Sequence, residues 1–411
     1  MGCRVRRQLV VLLATAGLAL PAAAPASGPA PSAALQRKLA QALRVPHVSP
    51  ARSAAIAFDL TNGTTVYTQN GSRALAPASN EKLPLTYAAL ATLGPSYRFE
   101  TDVLGEGDLD GTTWRGRLVL QGGGDPTLSS AGLRALATQV RAAGIRHVTG
   151  GIAGDESWFD TRRTVAGWRP SFFVNESPPL SALVVDRDRF GGYLSRTPAL
   201  ATTAAFARIL RAAGVTISGP VQLGLAGEYA FPLGDVESPA LWTILRFMDR
   251  ESDNFTAELL LKQLGAVEQH HGTSAAGAAV VTESLVEAGV PMNGVRIVDG
   301  SGLSTLDRLT ADALTGILRA AWTNPAVRPA FVAALPVAGV NGTLEDRLQR
   351  PPARGNILAK TGTTREASAL SGYVRGRYAF AVLQNGNPLP YWWARRAQDR
   401  FATVLAGVSG S

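Results

Sequence analysis

Apolar residues recur at helical spacing over residues 35–43, and the chain then changes period. Residues 53–58 and 65–67 read as short strands on either side of Asn62-Gly63, a hairpin signal. Near the other end, 356–359, 369–374 and 378–384 are three further strand candidates, and 391–408 reads as a closing amphipathic helix. The helical period dominates from 238 to 325, over 241–248, 255–264, 275–288 and 310–322. Residues 98–235 break that pattern: short strands at 117–121 and 182–185 mix with helices at 133–143 and 202–213, separated by Gly-rich turns. No internal repeat of fixed period stands out. Strands thus come from both ends of the chain, with helices and a mixed segment between them. The economical arrangement is one antiparallel sheet built from both ends, a helical subdomain beside it, and an inserted α+β module.

A length of 411 residues suits two or three domains, and 46% hydrophobic with 17% charged residues can bury a sizeable core. A disordered or collagen-like chain is excluded. The formal charge of +9 is a weak hint of anionic surroundings; no aromatic-interleaved basic run points to nucleic acid, and solvated Arg accounts for the balance. The cations are nearly all Arg: the only lysines are Lys38, Lys82, Lys262 and Lys360. Each lysine therefore invites a question, because it can supply a deprotonated amine and Arg cannot.

Arg4, Arg6 and Arg7 precede an apolar run over 9–20, then Pro21 and small residues to Ala26. This is the pattern of a signal peptide over 1–26, with cleavage before Ser27 and a short linker over 27–34. It implies export, to a periplasmic or extracellular, wall-associated location. The apolar run is too short for a permanent anchor, and no later one reaches the roughly 18 residues of a span, so no transmembrane anchor is expected in the mature chain. The single cysteine, Cys3, falls inside the leader, which leaves no disulfide, Cys-based zinc site or thiol chemistry afterwards.

Three short motifs carry candidate chemistry. Ser79 and Lys82 are three apart at the start of a helical run, so they share a face if the helix begins there. A serine hydroxyl is a poor nucleophile until a base takes its proton, and an amine of lowered pKa can serve. The plain alternative is an N-cap serine with a surface lysine. Pro84 is tolerable this early in a helix. Ser252-Asp253-Asn254 sits between two predicted helices, where a hydroxyl and an amide could face a cleft; Ser, Asp and Asn are also the ordinary capping types. Lys360-Thr361-Gly362-Thr363 follows a strand candidate. A cation beside a hydroxyl on a sheet edge suits a carboxylate, and Gly362 would let a substrate backbone approach, although a strand and turn alone would read the same way.

Other chemistries lack their patterns. His47, His147, His270 and His271 show no zinc spacing, no serine lies in a G-x-S-x-G elbow, and Gly122-Gly123-Gly124 lacks the ending of a phosphate loop. No metal or cofactor is expected.

Ser-x-x-Lys, Ser-Asp-Asn and Lys-Thr-Gly in this order resemble the penicillin-recognising serine acyl-transferases, the penicillin-binding proteins and serine β-lactamases. About 170 residues separate Ser79 from Ser252, too many for a simple β-lactamase. The stretches 122–128, 154–160, 180–186 and Asp299-Gly300-Ser301-Gly302-Leu303-Ser304 resemble the class C low-molecular-mass penicillin-binding proteins, the D-alanyl-D-alanine carboxypeptidase/endopeptidase family, and the likeness runs from about 35 to 408. The resemblance implies an α+β fold: a five-stranded antiparallel sheet flanked by helices, a helical subdomain, and an inserted α+β domain with at most a remnant of another. It places the catalytic domain at 27–97 and 236–411 and the insert at 98–235.

It implies Ser79 as acylated nucleophile, Lys82 as base, Ser252 as proton relay to the departing amine and Asn254 as orienting amide. Lys360 and Thr361 would set the field around the substrate carboxylate, with Gly362 and Thr363 in the binding strand and the Ser79 and Thr363 amides as oxyanion hole. The implied substrates are peptidoglycan stem peptides, cut at D-Ala-D-Ala ends or D-Ala–diamino acid cross-links, with β-lactam antibiotics as covalent inhibitors. A β-lactamase or esterase on the same scaffold, or a non-catalytic wall-binding protein, are the alternatives.

Overall fold

The computed structural model describes residues 32–190 and 193–409; the leader expected over 1–26 lies outside them. α1 (Ala33–Leu43) starts at Ser32, whose hydroxyl accepts from the Leu35 N–H at 3.1 Å. β1 (Ser53–Asp59) and β2 (Thr64–Gln69) form the hairpin that Asn62-Gly63 signals. Its turn is held by Asp59 Oδ1, which accepts from the Thr61 and Asn62 N–H groups at 2.9 and 3.2 Å, and by Gly63 at φ +67°.

The chain continues through α2 (Lys82–Thr92) into β3 (Glu100–Asp110), β4 (Thr113–Gly122), α3 (Ser130–Ala142), β5 (His147–Val148) and β6 (Ile152–Asp155). Next come a two-stranded hairpin, β7 (Arg189–Phe190) and β8 (Tyr193–Leu194), then α4 (Pro198–Ala212), β9 (Thr216–Ile217), β10 (Val221–Leu223) and β11 (Phe231–Glu237). Helices α5 (Leu241–Glu251), α6 (Asn254–Gln269), α7 (Ser274–Glu287), α8 (Ala311–Thr323) and α9 (Arg328–Ala334) follow. β12 (Ile357–Thr363), β13 (Ala367–Val374), β14 (Tyr378–Asn385) and α10 (Tyr391–Ser409) close the chain.

The main sheet has the order β12-β13-β14-β1-β2 with every pair antiparallel, so both chain ends build it, as the sequence pattern predicts. Apart from the half-exposed edge strand β2, its strands are largely apolar because both faces are covered. The two-residue alternation deals side chains to two cores. Ala54, Ile56, Leu358 and Leu383 pack toward α2, α5, α6 and α8 with Leu83, Met248, Leu260 and Leu314. Ala55, Ala57, Ile357 and Val382 pack on the other face against Leu39 of α1 and Phe401 and Leu405 of α10.

The second sheet is mixed, in the order β10-β6-β4-β3-β11 with β5 and β9 alongside, and its core joins Val103, Leu118 and Ile152 to Leu136 of α3 and Phe206 of α4. β3 and β11 give little sign of themselves in sequence, because one face is polar and half exposed. The strand expected at 182–185 does not form. Residues 180–185 are buried, and two of their N–H groups find side chains instead of a ladder. The Val185 N–H donates to Thr202 Oγ1 (3.0 Å) and the Leu183 N–H to Ser181 Oγ (3.1 Å). This segment, with Phe159 and Val165, packs on Phe255 and Leu259 of α6. Among the described residues no helix is long and apolar enough to cross a membrane.

Candidate active site

Ser79 lies in a 3₁₀ turn (Ala78–Glu81) that runs directly into α2, one turn earlier than the α-helix proper. Ser79 remains partly exposed while Asn80, Glu81 and Lys82 are buried. The Lys82 Nζ reaches Ser79 Oγ at 3.3 Å and donates to Asn254 Oδ1 and to the Ser301 carbonyl, each at 2.8 Å. Lys82 is therefore not the surface lysine of the plain reading.

Ser252 and Asn254 come from the joint between α5 and α6. Ser252 ends α5 in the left-handed region, at φ +57°, and Asp253 opens α6 by accepting from the Thr256 N–H at 2.8 Å. The middle residue is thus the cap, while its neighbours face the site. Ser252 Oγ accepts from Lys360 Nζ at 2.9 Å, and Asn254, already on Lys82, donates from Nδ2 to the Glu176 carbonyl at 3.0 Å.

β12 is the sheet's edge strand, and Lys360 shares the face of Leu358, which points it toward the helices. Thr361 Oγ1 bonds Thr343 Oγ1 at 2.7 Å. Asn80 Nδ2 donates to the Lys360 carbonyl at 3.1 Å, tying the Ser79 turn to the strand. Gly362 has a nearer neighbour than any substrate: a Cβ there would lie 2.8 Å from the Pro77 carbonyl oxygen and 3.1 Å from the Ser79 nitrogen. The Ala359 N–H donates off the sheet to Pro336 and the Thr364 N–H across the hairpin to Ala367. The strand's alternation therefore turns the Thr361 and Thr363 N–H groups off the free edge.

The three buried lysines differ. Lys262 forms an ion pair with Asp160 and donates to the Arg162 carbonyl. Lys82 and Lys360 donate only to neutral oxygens, and neither joins an ion pair among the described residues. Burial pulls the Lys82 amine below the usual lysine range, with Asp299 and Asp253 pulling back. Burial, then the Lys82 cation, brings Lys360 down to about 7. The acids beneath them move the other way. Burial and the neighbouring Asp299 push Glu258 up to about 8, and burial pushes Glu81 well above the carboxylate range.

Two supports carry no role in the sequence reading. Glu258 Oε1 accepts from the Gly300 and Ser301 N–H groups at 3.2 and 2.9 Å, and Asp299 accepts from the Gly302 and Ser304 N–H groups, both at 2.7 Å. Together they shape the loop whose Ser301 carbonyl holds Lys82. The available signals were the Asp299–Ser304 run itself and the four-residue step from Asn254 to Glu258 along α6. A cavity of about 540 Å³ opens beside the Ser79 turn, lined by Ala78, Gly302, Phe172 and residues 363–366, and the Arg169–Glu366 ion pair (2.8 Å) spans it.

A part-exposed serine against a buried, unpaired lysine, on an α+β scaffold with an insert, defines the class of penicillin-binding-protein-like serine acyl-transferases. The D-Ala-D-Ala carboxypeptidase 3 (S13) family model matches residues 35–196 and 191–406, and the chain belongs to that family. Its class of activity is accordingly that of a D,D-peptidase. The chain is similar to the D-alanyl-D-alanine carboxypeptidase of an Actinomadura species, 32% identical over 95% of this chain and 88% of that one. It also resembles the D-alanyl-D-alanine carboxypeptidase DacB of Haemophilus influenzae, at 25% identity over 80% and 85% of the two chains. In fold it matches the crystal structure of Haemophilus influenzae penicillin-binding protein 4 (dacB), with a TM-score of 0.79 at 22% identity over 91% of this chain and 98% of that one.

Proposed function

We propose that this chain is an exported serine D,D-peptidase that cleaves D-Ala-D-Ala ends, and D-Ala–diamino acid cross-links, of peptidoglycan stem peptides through an acyl-Ser79 intermediate. The observation that carries the reading is the Lys82 amine: fully buried, unpaired, and within reach of both Ser79 and Asn254. In this reading Lys82 takes the Ser79 Oγ proton as Oγ attacks the penultimate D-alanine carbonyl. The N–H groups of Ser79 and Thr363 hold the oxyanion, each worth about 3–4 kcal/mol; the closeness of Gly362 to the Ser79 nitrogen supports that placement. Ser252, hydrogen-bonded to Lys360, gives its proton to the leaving nitrogen as the C–N bond breaks and takes back the one that Lys82 drew from Ser79. Water then attacks the ester, releases the shortened peptide and restores Ser79.

Lys360, with Thr361, attracts the substrate's terminal carboxylate, and Gly362 and Thr363 line the acyl side, where the adjacent cavity gives the stem peptide room. Residues 27–97 and 236–411 are the catalytic domain in this reading and 98–235 the insert; β11 runs on to Glu237, just past that boundary. A related fold, a predatory endopeptidase of Bdellovibrio bacteriovorus, has been solved acylated by penicillin G, with a TM-score of 0.52 at 17% identity over 87% of this chain and 90% of that one. The test is labelling with a fluorescent penicillin read by intact mass, beside D-alanine release from a D-Ala-D-Ala peptide. One long-lived adduct on wild type, and neither adduct nor release on folded Ser79→Ala, is the expected result. Ser79→Ala that still released D-alanine would sink the assignment, and rapid clearance of the adduct would favour a β-lactamase.

A further inference from the structure

Asp186, Arg187 and Asp188 stand consecutively in the left-handed region, at φ +49°, +57° and +62°. That conformation is costly for residues with a Cβ, and a run of three persists only where the surroundings enforce it. The enforcement is visible. The Asp186 N–H donates to the Leu128 carbonyl at 2.9 Å, the Asp186 carboxylate accepts from the Ser130 N–H at 3.0 Å and from its hydroxyl, and Asp188 is fully buried. What the turn presents is Arg187, whose Nη2 meets Asp253 Oδ2 at 2.5 Å. The guanidinium carbon also lies 5.7 Å from the Phe247 ring centroid of α5 and 5.2 Å from that of Phe255 in α6.

Arg187 therefore touches both helices at the joint that carries Ser252 and Asn254. Asp253 uses one oxygen to cap α6 and the other to meet Arg187. The Asp253 N–H bonds the Met248 carbonyl at 2.8 Å, which closes the turn, but Ser252 is itself left-handed, and Ser252 and Asn254 on either side of Asp253 must reach two different lysines at 2.9 and 2.8 Å. A small rotation of α5 against α6 would lose one contact or the other.

We propose that Arg187 is a positioning residue for the reaction: by stapling Asp253, Phe247 and Phe255 it holds Ser252 on Lys360 and Asn254 on Lys82, and so makes the insert part of the catalytic apparatus. The proposal rests on the acyl-Ser79 reading. Its test compares acylation by a penicillin and turnover of a D-Ala-D-Ala peptide in wild type, Arg187→Met, Arg187→Lys and Arg187→Gly, with melting temperatures alongside. Arg187→Met should slow acylation and kcat at least tenfold with KM changed less than threefold, and Arg187→Lys should recover part of the loss.

Glycine adopts φ +57° freely, so Arg187→Gly should keep or raise the melting temperature while acylating as slowly as Arg187→Met. Arg187→Met acylated at the wild-type rate, or losses that track melting temperature alone, would overturn the staple while the acyl-serine reading stood. A folded wild type that takes no adduct overturns that reading, and the staple with it.

Discussion

Glu258 and Lys82 hold opposite ends of one residue: Glu258 Oε1 accepts the Ser301 N–H at 2.9 Å, and the Ser301 carbonyl accepts from Lys82 Nζ at 2.8 Å. The carboxyl thus places the lysine without touching it. Glu258 is raised to about 8 from an ordinary 4.5, so between those values it stays protonated in the fold and ionises on unfolding. Stability from this group is full below about pH 4.5 and falls as pH rises to about 8. Glu258→Gln keeps the acceptor and cannot ionise. Its melting temperature should fall less than that of wild type between pH 5 and pH 8, with acylation at pH 7 nearly unchanged. Glu258→Ala strands two buried N–H groups and should cost about 2–4 kcal/mol and slow acylation. A Glu258→Gln variant as pH-sensitive as wild type would remove Glu258 from this role.

The two motif lysines give the reaction its own pH dependence. Two ammonium groups are poorly tolerated in one buried site, and Lys360 titrates at about 7 with Lys82 among the causes. The two amines titrate as a pair, so the proton lost near pH 7 belongs to the pair; the acyl-Ser79 reading takes it from Lys82, the base, and leaves Lys360 as the cation that meets the carboxylate. The second-order acylation rate should therefore rise through about pH 7 and drop tenfold per unit below it. A rate that fell as pH rose through this range would make the doubly charged site the active form. Stopped-flow penicillin acylation between pH 5 and pH 9 reads the sign directly.

The catalytic skeleton was legible because its chemistry is written in rare residues. With four lysines in the chain, finding two of them in Ser-x-x-Lys and Lys-Thr-Gly singled out Lys82 and Lys360, and the structure places both together, buried and unpaired. The sheet was legible for a different reason: β1, β12, β13 and β14 are buried on both faces and read as apolar runs. What escaped was positional. Ala182 to Val185 looks like a strand because it is apolar, but burial without alternation also fits an irregular plug in which the Leu183 and Val185 amides are met by Ser181 and Thr202. Glu258 bonds the backbone of the 299–304 loop and Ser301 serves through its carbonyl, and a backbone partner far along the chain leaves no mark of its own in residue type.

Asp299 collects donors on both oxygens: the Gly302 N–H on Oδ1, and the Ser304 N–H, the Ser301 hydroxyl and Trp168 Nε1 (2.8 Å) on Oδ2. Asp299→Asn must turn an amide NH₂ toward at least one backbone donor, whichever way it flips. The expected cost is about 2–3 kcal/mol with slowed acylation. Trp168→Phe removes one donor from a shared oxygen and should cost only about 0.5–1.5 kcal/mol. Urea melts that ranked the two variants equally would show that Asp299 is not the organiser of this loop.

Gly362 separates two explanations of a small residue in a binding strand. If it served only an incoming peptide, Gly362→Ala would weaken substrate binding and leave the resting site alone. The geometry says otherwise, because the added methyl would stand 2.8 Å from the Pro77 carbonyl oxygen, 3.1 Å from the Ser79 nitrogen and 3.2 Å from Ala78 Cβ. Two of these neighbours are backbone and cannot swing aside, so either the strand or the Ser79 turn must shift by a few tenths of an ångström. Overpacking of this kind costs about 1–3 kcal/mol. The same displacement moves the Ser79 N–H relative to Thr363, where the oxyanion is proposed to sit. Gly362→Ala should therefore lose at least tenfold in the acylation rate at saturating penicillin, and not merely in apparent affinity. A variant with normal saturating rate and raised KM would return Gly362 to the role of making room for substrate.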